Sequence, residues 1–254
     1  MHIMTTLLDK ILDRQNMYQA FRSVCSNKGA SGVDGITINE IDGYIRENWQ
    51  RIKVEIEERS YRPQPVLRVE IPKPNGGTRK LGIPTVMDRI IQQAIVQVLS
   101  PIAEKEFSGT SYGYRPGRNC EMAVVKLLEY FNDGYLWVVD IDLEKFFDTV
   151  PQDKLMSLVH NIINDPDTES LIRKFLQAGI MDKGEYRPSK RQWGLQKLGV
   201  NKDLARLTSY CGDRYYFVAT KTCVSRAISK AILTQRGLIS PLDYYEHRRN
   251  VRFN

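Results

Sequence analysis

Cysteine and histidine are scarce in this chain of 254 residues: four Cys and three His. Cys25, Cys120, Cys211 and Cys223 form no CxxC pair, and His2, His160 and His247 are scattered, so a zinc finger or a disulfide framework has nothing to build on. Long apolar runs are missing as well. The most apolar stretch, residues 90–99, is broken by Gln92, Gln93 and Gln97 and falls well short of the roughly 18 residues of a membrane span. Residues 1–14 carry Asp9, Lys10, Asp13 and Arg14 without a basic leader, and the expectation is a cytoplasmic protein with no membrane partner. There is no internal repeat or low-complexity tract. With 42% hydrophobic, 26% charged and 9% aromatic residues, the composition is that of a folded globular chain.

Charge is present in quantity but unevenly placed. The 37 Lys and Arg against 30 Asp and Glu give +7 overall. Residues 1–186 hold 23 basic and 26 acidic side chains, a net of −3, whereas residues 187–254 hold 14 and 4, a net of +10. A basic segment of that density suits a polyanion, nucleic acid first, although a solvated basic face gives the same composition. By charge and composition the domain boundary falls near residues 186–191.

Hydrophobic periodicity predicts one amphipathic helix over residues 5–21, a loop at 27–35 (NKGASGVDG), and a helix from a Thr37 cap to about Glu58. The next segment changes character. Prolines at 63, 65, 72, 74 and 84 bracket an alternating arm in which Leu67, Val69 and Ile71 share one face and Arg68 and Glu70 the other. The turn Asn75-Gly76-Gly77 and a return arm over 78–83 complete a basic β-hairpin. Helices are expected over 85–106, with Asp88 suited to the helix dipole, and over 121–131, 152–163 and 169–178. Short basic helices follow at 203–208 and 223–235. Residues 135–142, YLWVVDID, have the character of a buried strand that ends in acids.

On such a strand Asp140 and Asp142 emerge on one face. Paired carboxylates suit Mg2+, which takes oxygen ligands and completes its octahedron with water and substrate phosphates; acids solvated at a strand exit are the plainer alternative. The hairpin cations Lys73, Arg79 and Lys80 flank a glycine turn whose amides can approach a phosphate chain. A hairpin edge blunted by charge would look the same.

Taken together and in order, GVDG (32–35), YRPQPVLRVEIPKPNGGTRKLGIPTVMDRIIQQAI (61–95), SYGYRPGRN (111–119) and VDIDLEKFFDTV (139–150) resemble the reverse transcriptase and maturase proteins encoded by group II introns. The resemblance implies an α+β fold: reverse transcriptase fingers and a partial palm over residues 1–186, mostly helical with the basic hairpin and a truncated palm sheet. A small, basic, helical C-terminal segment over 187–254 is similar to the end of such maturases. The resemblance further implies an RNA-directed DNA polymerase by descent, with Asp142 as catalytic and metal-binding aspartate, the Leu143 carbonyl and Asp140 beside it, and Mg2+ as cofactor. Lys73 and Arg79 would contact the triphosphate of a deoxynucleotide and Phe147 would exclude a 2′-hydroxyl. Arg115 and Arg118 would line the template cleft, and Arg68 and Lys80 would add contacts to RNA; Asp148 is assigned a structural place. The implied partners are structured intron RNA, or an RNA template with a DNA primer.

The departures from that family point the other way. Leu67 stands where relatives carry an additional arginine. After GIMDKGEY (179–186) the family continues into Pro-Gln-Gly-Gly and then Tyr-Ala-Asp-Asp, and neither string occurs here. Tyr210-Cys211-Gly212-Asp213 echoes the second string only superficially. Two-metal polymerisation needs carboxylates from two strands, so the expectation is a remnant without independent catalysis. It would bind RNA, or be completed in trans by a second copy or by a complete family member.

Overall fold

The computed structural model describes residues 6–72, 76–135 and 151–188, and of Arg79 the backbone alone. The described residues fall into two compact units, 6–72 with 76–107 and 151–188 in the first and 108–135 in the second. Among the described residues the secondary structure is mixed and mostly helical, with one four-stranded sheet.

The first unit begins with two helices rather than one. Helix α1, Leu7–Leu12, is closed at its start by a reciprocal cap: Thr6 Oγ1 accepts from the Asp9 amide, and the Asp9 carboxylate accepts from the Thr6 amide. The apolar pattern would carry the helix on, but the Asp13 carboxylate accepts from the amides of Gln15 and Asn16 and starts α2, Arg14–Ser26. An Asp13 that caps a new helix therefore corrects the continuous helix expected over 5–21. Helix α3 is Ile41–Glu57. Its cap residue is Glu40, with no side-chain cap, while Thr37 heads the preceding turn and donates its amide and hydroxyl to Glu40.

Helix α4, Val86–Ala103, is the centre of the unit. Eleven of its eighteen residues are buried, and Val86, Ile91, Ala94 and Ile95 are sealed completely. Helices α1, α2 and α3 pack on it. Each fully buried Ile or Val contributes about 1.5–3 kcal/mol, which makes α4 the element the fold can least lose. A short 3₁₀ turn, Glu104–Glu106, ends it.

Around this core lies a sheet in the order β2-β1-β3-β4. Strands β1, Val66–Pro72, and β2, Thr78–Ile83, form the expected antiparallel hairpin, with Leu67 opposite Ile83 and Glu70 opposite Lys80. Strands β3, Ile180–Asp182, and β4, Glu185–Arg187, have no counterpart among the elements expected from the sequence. They form a second small hairpin that joins β1 in parallel through Val66 and Ile180.

Helix α5, Cys120–Asn132, belongs to the second unit, and Asn119 caps it by accepting from the Met122 amide. Helices α6, Gln152–Ile163, and α7, Pro166–Gln177, complete the first unit and bury an apolar stripe that includes Leu155, Val159, Ile172 and Phe175. The strand expected over 135–142 and the basic helices at 203–208 and 223–235 lie outside the described residues, apart from Tyr135, which is exposed.

Candidate nucleic-acid interface

The hairpin is held by its root and free at its outer half. Val66 is buried, whereas Val69, Glu70, Ile71 and Pro72 are exposed. Alternation of apolar and charged side chains thus produces the hairpin, but much of its apolar face remains in solvent. The turn glycines Gly76 and Gly77 both have positive φ, +83° and +81°, a conformation that residues with side chains adopt only at a cost.

Three attachments fix the root. The Val66 amide donates to the Gly179 carbonyl at 3.1 Å. Arg68 reaches across to Asp182 on β3 at 3.4 Å, and Arg187 on β4 meets the same carboxylate at 3.3 Å. The third is a buried carboxylate. Asp88, in the first turn of α4, is 1% exposed. Its Oδ1 accepts from the Tyr61 hydroxyl at 2.7 Å, and its Oδ2 accepts from the Gln64 amide at 3.1 Å and the Thr85 hydroxyl at 2.8 Å. The Thr85 hydroxyl in turn accepts from the Asp88 amide at 3.1 Å.

These contacts, more than the helix dipole, account for aspartate at 88. Burial pushes its carboxyl up from the ordinary 3.8 to about 6, against three hydrogen bonds that pull it down. The consequence for stability has a definite sign. Between about pH 4 and 6 the folded chain keeps this proton while the unfolded chain has lost it, so the stabilisation is full below 4 and is lost as pH rises through 6. A shift of that size corresponds to roughly 3 kcal/mol. Urea midpoints measured from pH 4 to 7 should show the native chain losing stability relative to Asp88→Asn by an amount of that order; parallel curves would mean that the carboxyl titrates alike in the folded and unfolded chains.

The cations expected at the interface are distributed unequally. Lys80 is half-exposed beside Glu70, 3.8 Å away, a pairing that water screens strongly. Arg68 is mostly buried, with 10% of its side chain exposed, and is engaged by Asp182. Arg79 is opposite Ile71 in the strand register, and Lys73 lies outside the described residues.

In the second unit Arg115 and Arg118 organise their own loop. Arg115 is buried, and its Nη1 donates to the carbonyls of Ser108 at 2.5 Å and Ser111 at 3.0 Å. Arg118 Nη1 donates to the carbonyls of Gly109 and Ser111, and its guanidinium lies over the Tyr112 ring at 5.1 Å. Asp140, Asp142, Leu143, Phe147 and Asp148 lie outside the described residues. Among the described residues no group of three or more His, Cys, Asp or Glu side chains is placed to hold a metal, and no helix is long and apolar enough to cross a membrane.

Two residues of the root go unremarked by sequence reasoning: Asp182, and Asp88 in its role as a junction. The Thr85-x-x-Asp88 spacing of a helix cap is a readable signal for the second; the first has none, because β3 is only three residues long.

A family model described as reverse transcriptase (RNA-dependent DNA polymerase) matches residues 71–200. Protein YkfC of Escherichia coli (strain K12) is 34% identical over 82% of the chain and 58% of its own length. The group II intron-encoded protein LtrA of Lactococcus lactis subsp. cremoris is 36% identical over 72% of the chain and 31% of its own length. The chain thus spans less than two thirds of either relative. Among solved structures, a chain of a partial Cas6-RT-Cas1–Cas2 complex superposes with a TM-score of 0.57 at 25% identity, covering 84% of this chain and 34% of that one.

Proposed function

The chain belongs to the reverse transcriptase family, as a relative of group II intron-encoded proteins and of YkfC, and on that premise we propose that it binds RNA without catalysing polymerisation on its own. In this reading residues 1–186 are fingers and a partial palm, and the +10 segment over 187–254 adds sequence-independent attraction to phosphates. The observation that carries it is the hairpin: a buried root and an exposed outer half on which Lys80, assigned to RNA by the family resemblance, stands half-exposed. Structured RNA would be gripped by shape and by phosphate and 2′-hydroxyl contacts.

Reverse transcriptases typically depend on Mg2+. Asp142, with Asp140 and the Leu143 carbonyl, would hold one ion here, and the resemblance assigns Phe147 to the sugar of a deoxynucleotide. The opposite acidic strand, carried in relatives by Tyr-Ala-Asp-Asp, has no counterpart in the sequence, so the isolated chain lacks the second set of carboxylates that two metals need. A second reading, a polymerase completed in trans by another copy or a complete family member, is favoured by one observation. Helix α5 has no buried residue, and Met122 and Val125 stand exposed on it.

Primer extension on an RNA template with Mg2+ or Mn2+, run beside RNA binding at several salt concentrations, separates the two. The expected result is salt-sensitive binding with no incorporation. Incorporation that disappears in Asp142→Ala would replace the proposal by the second reading, and binding indifferent to salt would remove it altogether.

A further inference from the structure

We propose that Asp88 is a positioning residue for the β1–β2 hairpin, setting the direction in which the hairpin leaves the core and so its grip on nucleic-acid phosphates. The inference deepens the RNA-binding reading and rests on it.

The segment that leads into β1 runs from Tyr61 to Pro65, and Asp88 holds it at two points, the Tyr61 hydroxyl and the Gln64 amide. Gln64 lies two residues before Val66, where the strand begins. Tyr61 is itself fixed from the other side, with its ring 6.4 Å from that of Phe175 on α7 and tilted by 54°. The strap is therefore clamped between α7 and the first turn of α4. Thr85 closes the arrangement, because the same residue caps α4, donates to Asp88 and follows the end of β2 by two positions. Both arms of the hairpin thus converge on one carboxylate.

Leverage follows from the burial pattern. Beyond Arg68 the strand is exposed, so a small rotation at the root is carried out to the turn. Alanine at 88 withdraws both holding points while the Thr85 hydroxyl can still cap the helix by accepting from the residue 88 amide. Asparagine is the conservative replacement. Its carbonyl oxygen can keep the Gln64 amide, and its NH2 can donate to the Tyr61 hydroxyl oxygen, so the clamp survives with one bond reversed.

The test uses the full chain and a short RNA template annealed to a DNA primer. Asp88→Ala should weaken binding about tenfold, but less than about twofold in a Lys73→Ala/Arg79→Ala/Lys80→Ala background, because it acts through the hairpin that carries those cations. Asp88→Asn should restore binding to within about twofold of the native chain. Tyr61→Phe, which removes one holding point, should give a smaller loss in the same direction, and it carries the test should Asp88→Ala fail to fold. Arg173→Ala, on the exposed side of α7 beside Asp153, serves as the control and should be additive with Asp88→Ala.

Amide hydrogen exchange in Asp88→Ala should rise in residues 66–71 and 79–83 and stay unchanged in 90–99. Full additivity with the hairpin variants would overturn the proposal, as would exchange that rises throughout α4, which marks a general loss of stability. If Lys73→Ala/Arg79→Ala/Lys80→Ala leaves binding intact, the failure belongs to the RNA-binding reading of the hairpin. Faster exchange confined to the hairpin would then still show that Asp88 anchors it, while its effect on grip is overturned.

Discussion

Replacing Gly32 by alanine should lower the thermal midpoint by roughly 6–12 °C, whereas the same change at Gly35, three residues on in the GVDG loop, should lower it by only a few degrees. The two glycines are needed for different reasons. A Cβ at Gly32 would stand 2.6 Å from both the Cα and the N of Thr85 and 2.9 Å from the carbonyl carbon of Pro84. All three are backbone atoms, so no side chain can swing away and the loop itself must lift off the start of α4. Lifting it also strains the hydrogen bond from Arg89 Nη2 to the Ala30 carbonyl and the Thr85 cap, each worth about 1 kcal/mol. With part of each bond lost and roughly 1–3 kcal/mol of overpacking added, the loss comes to about 3 kcal/mol. Gly35 has open space around it and needs only its positive φ of +72°, for which alanine costs about 1–2 kcal/mol. Thermal unfolding of the two variants side by side is the check; equal shifts would mean that the loop does not rest on Thr85.

The same turn of α4 shows why some of this structure can be read from the sequence and some cannot. Local signals carry far: α6 has the bounds that the apolar spacing over 152–163 predicts, and the alternation of Leu67, Val69 and Ile71 with Arg68 and Glu70 predicts the hairpin. Both patterns need only neighbours in sequence. Asp13 is harder, because its helix-breaking cap competes with an apolar stripe that runs on past it, and periodicity weighs the stripe alone. Strands β3 and β4 carry too few residues for a period, and what makes them strands is Ile180 pairing with Val66, more than a hundred positions away. Asp88 has the same cause. A carboxylate in a first turn is ordinary by position, and only the arrival of Tyr61 and Gln64 turns it into a buried junction.

The cations illustrate a further limit on reading function from residue type. Arg68, Arg115 and Arg118 all fall in the motifs that suggest nucleic-acid contact, yet Arg68 meets Asp182 and the other two gather carbonyls within residues 108–111. Five donors in a rigid fork make arginine equally good at ordering a loop and at holding a phosphate. Lysine offers less to structure, and Lys80 is correspondingly half-exposed, with its ammonium 3.8 Å from Glu70 in a pairing that water screens. Within the described hairpin, then, Lys80 is better placed than Arg68 to meet a polyanion.

That distribution shifts the weight of RNA affinity toward the basic segment. Replacing Lys190, Arg191, Lys197, Lys202, Arg206 and Arg214 by glutamine removes six of its fourteen cations and lowers its net charge from +10 to +4. If about half of the six contact phosphates, the plot of log affinity against log salt should flatten by roughly 2–3, and affinity near physiological salt should fall about a hundredfold. Lys80→Ala, which removes a single contact, should cost well under about tenfold on the same scale. The comparison is informative because net attraction and a single local contact predict opposite orders: a grip that rested on Lys80 alone would make Lys80→Ala the more damaging change and leave the salt slope of the six-fold variant almost untouched. Binding isotherms at several salt concentrations distinguish the two, and a slope unchanged by the loss of six charges would show that the segment over 187–254 carries its charge for some purpose other than RNA.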